Sequence, residues 1–168
     1  VARRRRTGQN TMRENLALLL DNDSFIEYGA LALAAQRRRR STAELLQMSP
    51  ADGLIGGMGT INAENVGEAA SRCMVLAYDY TVFAGTQGMM NHKKTDRMLQ
   101  LAERWSIPLV LFAEGGGGRP GDSDYVGVSG LDCPTFAAMA RLSGKVPLVG
   151  VVSGRCFAGN AALLGCCD

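Results

Sequence analysis

The sequence predicts an α/β fold, and three observations carry that prediction. Apolar runs of strand length alternate with longer amphipathic stretches through the second half of the chain. The last two of those runs each end in a glycine-bearing turn followed by a helix-forming stretch. The 21 glycines, well above the roughly 7% usual in soluble proteins, gather at 53–59, 115–121 and 127–130 instead of spreading as a low-complexity repeat.

Taken in order, the elements begin with two capping boxes. Thr11-Met-Arg-Glu14 precedes Asn15 to Leu20, and Ser41-Thr-Ala-Glu44 precedes Leu45 to Met48, so two short helices are expected. Asp21 to Ser24 has turn chemistry, and Phe25 to Tyr28 begins a strand. From Gly53 the pattern changes to alternation and apolar runs. Leu54 to Ile61 and Cys73 to Tyr80, separated by a turn at Asn62 to Gly67, read as a hairpin-like strand pair. Met90, Met98, Leu101 and Ala102, with charged residues between them, predict a helix over 89–105. Pro108 to Ala113 and Pro147 to Val152 read as buried strands, Cys133 to Leu142 as the helix between them, and Gly159 to Cys166 as the start of another. That succession is the signature of crossover units, and in open α/β folds ligands bind beyond the strand ends.

Composition narrows the function classes. At 46% apolar, the 168 residues suffice for one core. A net charge of +2 argues against a polyanion binder, although Arg3 to Arg6 and Arg37 to Arg40 form two local basic runs. The first reads as a linker or basic N-terminal segment covering 1–10, ahead of a domain at 11–168. No apolar stretch reaches membrane-spanning length and none follows Arg6 as in a signal peptide, so the expectation is a cytoplasmic protein away from the membrane. Cys73, Cys133, Cys156, Cys166 and Cys167 lie in apolar segments without a Cys-x-x-Cys pair, and reduced thiols are expected. With His92 the single histidine and no ligand spacing, no metal site is expected. The apolar ending Leu163 to Asp168 reads as a cut through a fold.

Two loops carry the chemistry. Glu114-Gly115-Gly116-Gly117-Gly118-Arg119-Pro120-Gly121-Asp122 follows a buried strand. Four consecutive glycines are entropically costly to order; either they let backbone N–H groups approach a ligand oxygen, or the segment is a flexible surface loop. A phosphate-binding P-loop needs Gly-Lys-Ser/Thr after the glycines, and Arg119-Pro120 stands there instead. Gly154 to Ala162 places small residues at a strand-to-helix junction, which suits either an oxyanion at a helix start or close packing. Glu114 and Asp122 flank the glycines as loop or capping carboxylates, His92 reads as a surface or packing residue, and no general base stands out.

These residues resemble a known family. Asp52-Gly-Leu-Ile-Gly-Gly-Met-Gly-Thr-Ile-Asn62, Tyr78 to Gly88, the glycine run and Cys156-Phe-Ala-Gly-Asn-Ala-Ala162 resemble, in order, the N-terminal half of biotin-dependent acyl-CoA carboxylase carboxyltransferases. Arg13 to Leu16 and Asp23 to Glu27 are similar to that family's entry segment, and the details are closest to single-chain, multidomain acyl-CoA carboxylases. The resemblance implies a crotonase-like spiral of ββα units, truncated here. The usual family loop reads Asp-Ser-Gly-Gly-Ala-Arg where this chain has Glu114 to Arg119. Asn160 stands where a glycine is usual, which puts the length of the acyl pocket in question.

The implied reaction moves a carboxyl group from carboxybiotin, on a separate carrier domain, to the α-carbon of an acyl-CoA through an enolate, with the biotin ureido nitrogen taking the proton. In that reading Gly116 and Gly117, with Gly159, supply oxyanion-hole N–H groups worth about 2.7–4 kcal/mol each. Gly115, Gly118, Arg119, Asn160 and Gly85 contribute to substrate binding. Lys94 and the Arg37 to Arg40 run are candidates for the CoA phosphates, the run being alternatively a solvated or oligomer-contact face. The implied partners are acyl-CoA, biotin carboxylase and carrier domains, and the C-terminal carboxyltransferase half of a second subunit, in a dimer-based homo-oligomer with a hexamer among its forms. Two rivals are a biotin-dependent acyl-CoA decarboxylase subunit, which a linked biotin carboxylase would exclude, and a basic nucleic-acid-binding module. The module would show salt-dependent binding, and near-neutral charge and sparse aromatics speak against it.

Overall fold

The computed structural model describes residues 1–124 and 133–168; the glycine cluster at 127–130 lies outside the described residues. Its elements are α1 (Ala2–Arg6), α2 (Met12–Leu19), β1 (Ile26–Tyr28), α3 (Thr42–Met48), β2 (Leu54–Thr60), α4 (Ala63–Val66), α5 (Glu68–Ser71), β3 (Arg72–Tyr78), α6 (Met89–Trp105), β4 (Leu109–Phe112), α7 (Thr135–Leu142), β5 (Leu148–Val151) and α8 (Ala158–Leu164). Both capping boxes form. Thr11 and Ser41 accept from the N–H groups of Glu14 and Glu44, and each glutamate bonds back to the cap residue's own N–H.

One five-stranded sheet has the order β1-β2-β3-β4-β5. β1, β2 and β3 pair antiparallel, with Leu54 opposite Tyr78 and Thr60 opposite Arg72. β3, β4 and β5 pair parallel, and α6 and α7 make the two crossovers. The expected hairpin pair is therefore present, but its connection differs from a simple turn. Residues 62–71 wind into α4 and α5, each of four residues, too short for any periodicity to announce.

Side-chain alternation divides the sheet between two cores. Leu109 and Leu111 face a cluster with Leu76 and Met98, to which Leu101, Met139 and Leu142 of α6 and α7 and Leu163 of α8 contribute. Val110 and Phe112 face the other side, where Met12, Leu16 and Leu20 pack on Ile55, Cys73, Val75 and Ala77. Helices on both faces explain why β3 and β4 read as continuous apolar runs. Cys73 lies in the second core, and burial pushes its thiol up to about 11, as a structural cysteine requires. Among the described residues no helix is long and apolar enough to cross a membrane.

The N-terminal ten residues do more than the expected linker. α1 is formed, and Arg4 is buried against the end of β4.

Candidate functional site

The site begins where β4 ends. Glu114 carries the chain out of the sheet into Gly115, whose N–H donates to the Arg155 carbonyl at 2.6 Å and whose carbonyl accepts the Phe157 N–H at 3.0 Å. The parallel pairing of β4 and β5 thus continues beyond both strands into the two loops. A third segment joins them, because the Gln87 N–H donates to the Gly117 carbonyl at 2.8 Å. Neighbouring backbone groups are consumed in this way. The N–H groups of Gly116 and Gly117 take no part in backbone hydrogen bonding among the described residues.

Glycine is a steric necessity at Gly116, where φ is +141° and a Cβ would collide with the Phe157 carbonyl oxygen. Gly117, at φ +89°, has nothing within 4 Å of a Cβ position, and neither has Gly118, so the turn is tight on one side and open on the other. Gly85 and Gly115 sit back to back, Gly85 against the Glu114 carbonyl and Gly115 against that of Ala84. The structure therefore brings Gly85, Gly115, Gly116, Gly117 and Gly118 into one place.

Gly159 arrives at the same junction but packs against the Gln87 side-chain amide, and α8, only seven residues long, begins beside it. Asn160 does not line an open pocket. It is fully buried, and its Nδ2 donates to the carbonyls of Gly85 at 3.0 Å and Glu114 at 2.9 Å, stapling one loop to the other. The expected reshaping of an acyl pocket by this side chain is replaced by an internal cross-link.

Two further expectations are corrected. Arg119 turns away from the open face: its guanidinium ion-pairs with Asp52, lies 3.8 Å from Asp122, donates to the Thr86 hydroxyl and carbonyl, and stacks 4.9 Å above the Phe83 ring. With its side chain 5% exposed it serves as an interior clamp. Burial raises the Asp52 carboxyl above its ordinary range, against the pull of Arg119. Lys94 is also interior. Its Nζ donates to the carbonyls of Ala51, at 2.9 Å, and Leu54, its stem lies across Gly29, and burial pushes its ammonium down to about 8.

The basic run fares differently. Asp124 accepts from the N–H groups of Arg37 and Arg38 at 2.9 and 3.0 Å, and Gln36 Nε2 donates to Asp122 at 3.1 Å, so residues 36–38 are fastened to the chain just after the glycine turn. Arg37, Arg38 and Lys93 line one cavity of about 470 Å³ with Met89, Met90 and Asp124. The cation presented there from α6 is thus Lys93 and not its neighbour.

Sequence reasoning missed two contributors. Gln87 pins the turn and supports Gly159. Arg4 pairs with Glu114 at 2.7 Å across 110 positions, a distance no spacing pattern reveals. His92, read from the sequence as a surface or packing residue, packs: its Nδ1 lies 3.2 Å from Cys133 Sγ and 3.0 Å from the Thr135 hydroxyl, bridging α6 to the start of α7, and burial lowers its pKa.

The profile of the carboxyl transferase domain matches residues 3–168. The propionyl-CoA carboxylase beta chain of Saccharopolyspora erythraea is 30% identical over 161 residues, 95% of this chain and 27% of that protein. The methylmalonyl-CoA carboxyltransferase 12S subunit of Propionibacterium freudenreichii subsp. shermanii is 32% identical over 163 residues, 95% of this chain and 28% of its own length. Among solved structures, a single-chain, multi-domain long-chain acyl-CoA carboxylase is 61% identical with a TM-score of 0.93, covering 100% of this chain and 16% of that one. The chain therefore spans about a quarter of the length of the relatives it matches.

Proposed function

This chain belongs to the carboxyl transferase domain family, and from that membership we propose that it is the acyl-CoA-binding half of the carboxyltransferase of a biotin-dependent acyl-CoA carboxylase. The fold is the crotonase-like one of its structural neighbours. The observation that carries the reading is the glycine turn, whose Gly116 and Gly117 N–H groups are held in place by bonded neighbours on three segments while taking no backbone partner among the described residues.

A thioester oxygen placed at those N–H groups gains negative charge as the α-proton leaves. Donors that are already fixed stabilise that charge without reorganising, which is why a turn stitched from three sides suits the task. The open side at Gly117 and Gly118 leaves room for a bulky donor group, so the residues present fit a carboxylated ureido ring brought by another domain. When bound, carboxybiotin supplies the activated carboxyl group. Neither carboxylate flanking the turn is placed to act as a base. Glu114 is buried against Arg4, and Asp122 accepts from Gln36 Nε2 and the Met89 N–H. A hydratase would require such a base. Arg37, Arg38 and Lys93 are the residues we assign to the phosphates of CoA, since they line one cavity and their segment is tied to the turn.

The carrier and biotin carboxylase domains, and a carboxyltransferase C-terminal half from a second subunit in a homo-oligomer, complete the proposed assembly. The test is to supply the full-length protein with carboxylated biotin and short-, medium- and long-chain acyl-CoAs in turn. A carboxylated acyl-CoA is expected from at least one class; no product from any class overturns the proposal.

A further inference from the structure

We infer that Arg4 and Glu114 are positioning residues for the glycine turn, and that residues 4–10 form a strap behind it that joins the loops after β4 and β5. The inference rests on the turn's role as an oxyanion hole.

Glu114 is the hub of the contacts behind the turn. Its carbonyl accepts Asn160 Nδ2 at 2.9 Å, its Oε1 accepts Arg4 Nη1 at 2.7 Å, and the same Oε1 occupies the space a Cβ at Gly154 would need. Arg4 is itself anchored, donating from Nε to the Asn10 carbonyl at 2.6 Å. Close by, Gln9 Nε2 donates to the Ser153 carbonyl at 2.8 Å. Residues 4–10 therefore touch both the loop after β4 and the loop after β5, the two segments whose bonding to each other sets the direction of the Gly116 and Gly117 N–H groups.

The electrostatics argue for geometry over stability. Arg4 and Glu114 side chains are 5% and 3% exposed, and a buried ion pair contributes little compared with an apolar replacement, while removing one partner is costly. This pair also leaves Arg4 Nη2 and Glu114 Oε2 without a hydrogen-bond partner among the described residues. Two unsatisfied polar atoms weaken it further as a source of stability. What the pair does well is fix the rotamer of the residue next to Gly115, because a charged partner at 2.7 Å excludes alternatives.

The test uses the full-length protein and two independent readouts. In Arg4→Ala, kcat for carboxyl transfer is expected to fall on the order of 10²-fold, as displacement of a reacting group does, with KM for acyl-CoA within about threefold of wild type. Arg4→Lys, which keeps the charge, is expected to recover to within about tenfold of wild type. Glu114→Gln, isosteric and uncharged, covers the case in which Arg4→Ala does not fold, and is expected to lose about tenfold in kcat. The second readout is amide hydrogen exchange over residues 112–118 and 154–157, expected to quicken in the folded Arg4→Ala and Glu114→Gln proteins while β2 and β3 stay as in wild type. A lowered Tm with wild-type kcat in the folded fraction, or unchanged exchange at the turn, overturns the inference. An inactive wild type overturns the proposed function instead, and the exchange readout still decides the strap.

Discussion

Gly116 and Gly117 are adjacent and chemically identical, yet they are constrained by different things. A methyl group at Gly116 meets the Phe157 carbonyl, so Gly116→Ala must displace the loop after β5. We expect it to cost about 1–3 kcal/mol of stability, read as a lowered urea midpoint. At Gly117 a Cβ meets nothing within 4 Å, and Gly117→Val strains φ at +89°. The fold should persist while kcat/KM drops by more than about tenfold, a loss above about 1.4 kcal/mol of transition-state stabilisation, and a smaller drop sinks the oxyanion assignment. Lys94 supports a prediction with a definite sign. Its folded pKa, about 8, lies below the ordinary 10.5, so the unfolded chain binds the extra proton between those values. The stability of wild type relative to Lys94→Met should therefore rise with pH through that window, by up to about 3 kcal/mol. Equal pH slopes in denaturant titrations of the two proteins would show that Lys94 is not buried as described. The tight turn itself was legible, since four glycines directly after an apolar strand mark backbone that must bend sharply. The neighbouring cations were not. Residues 93 and 94 point about 100° apart on a helix, and composition cannot tell which faces outward. Arg119 was claimed by Asp52, a partner 67 positions away.

Elements were readable in proportion to their length and their termini. The capping boxes at Thr11 and Ser41 appear as written because both partners lie within four residues, whereas α1, α4 and α5 are too short to show a repeat. α2 matters most for the second core, because Met12, Leu16 and the following Leu20 cover the sheet face formed by Ile55, Val75 and Val110. Thr11→Ala removes the side chain that accepts the Glu14 N–H and should cost about 1 kcal/mol, seen as a drop of about 2–4 °C in Tm. No drop would mean that packing alone fixes the start of the helix.

At the scale of the whole molecule, the strand–helix alternation announced the parallel half, because crossover topology follows from it, while the strap behind the turn had no local signature. The outer side of the sheet leaves Val149, Val152 and Phe157 between 43% and 49% exposed on β5 and the loop after it. The 168-residue chain on its own is expected to self-associate, which sedimentation would show as species above 17.9 kDa, and to yield no carboxylated product from acyl-CoA and a carboxybiotin donor. Rates near those of the full-length protein would place the complete catalytic site within these residues. The bonds that tie residues 4–10 to the site also impose an order of events. They close loops of 110 positions, from Arg4 to Glu114, and of 144, from Gln9 to Ser153, whereas β2 and β3 pair within a few turns of chain. Long loops close late. During synthesis α1 must wait, undocked, until residues 114 and 153, far downstream of it, have been made, and the turn gains its final shape only when these distant segments meet.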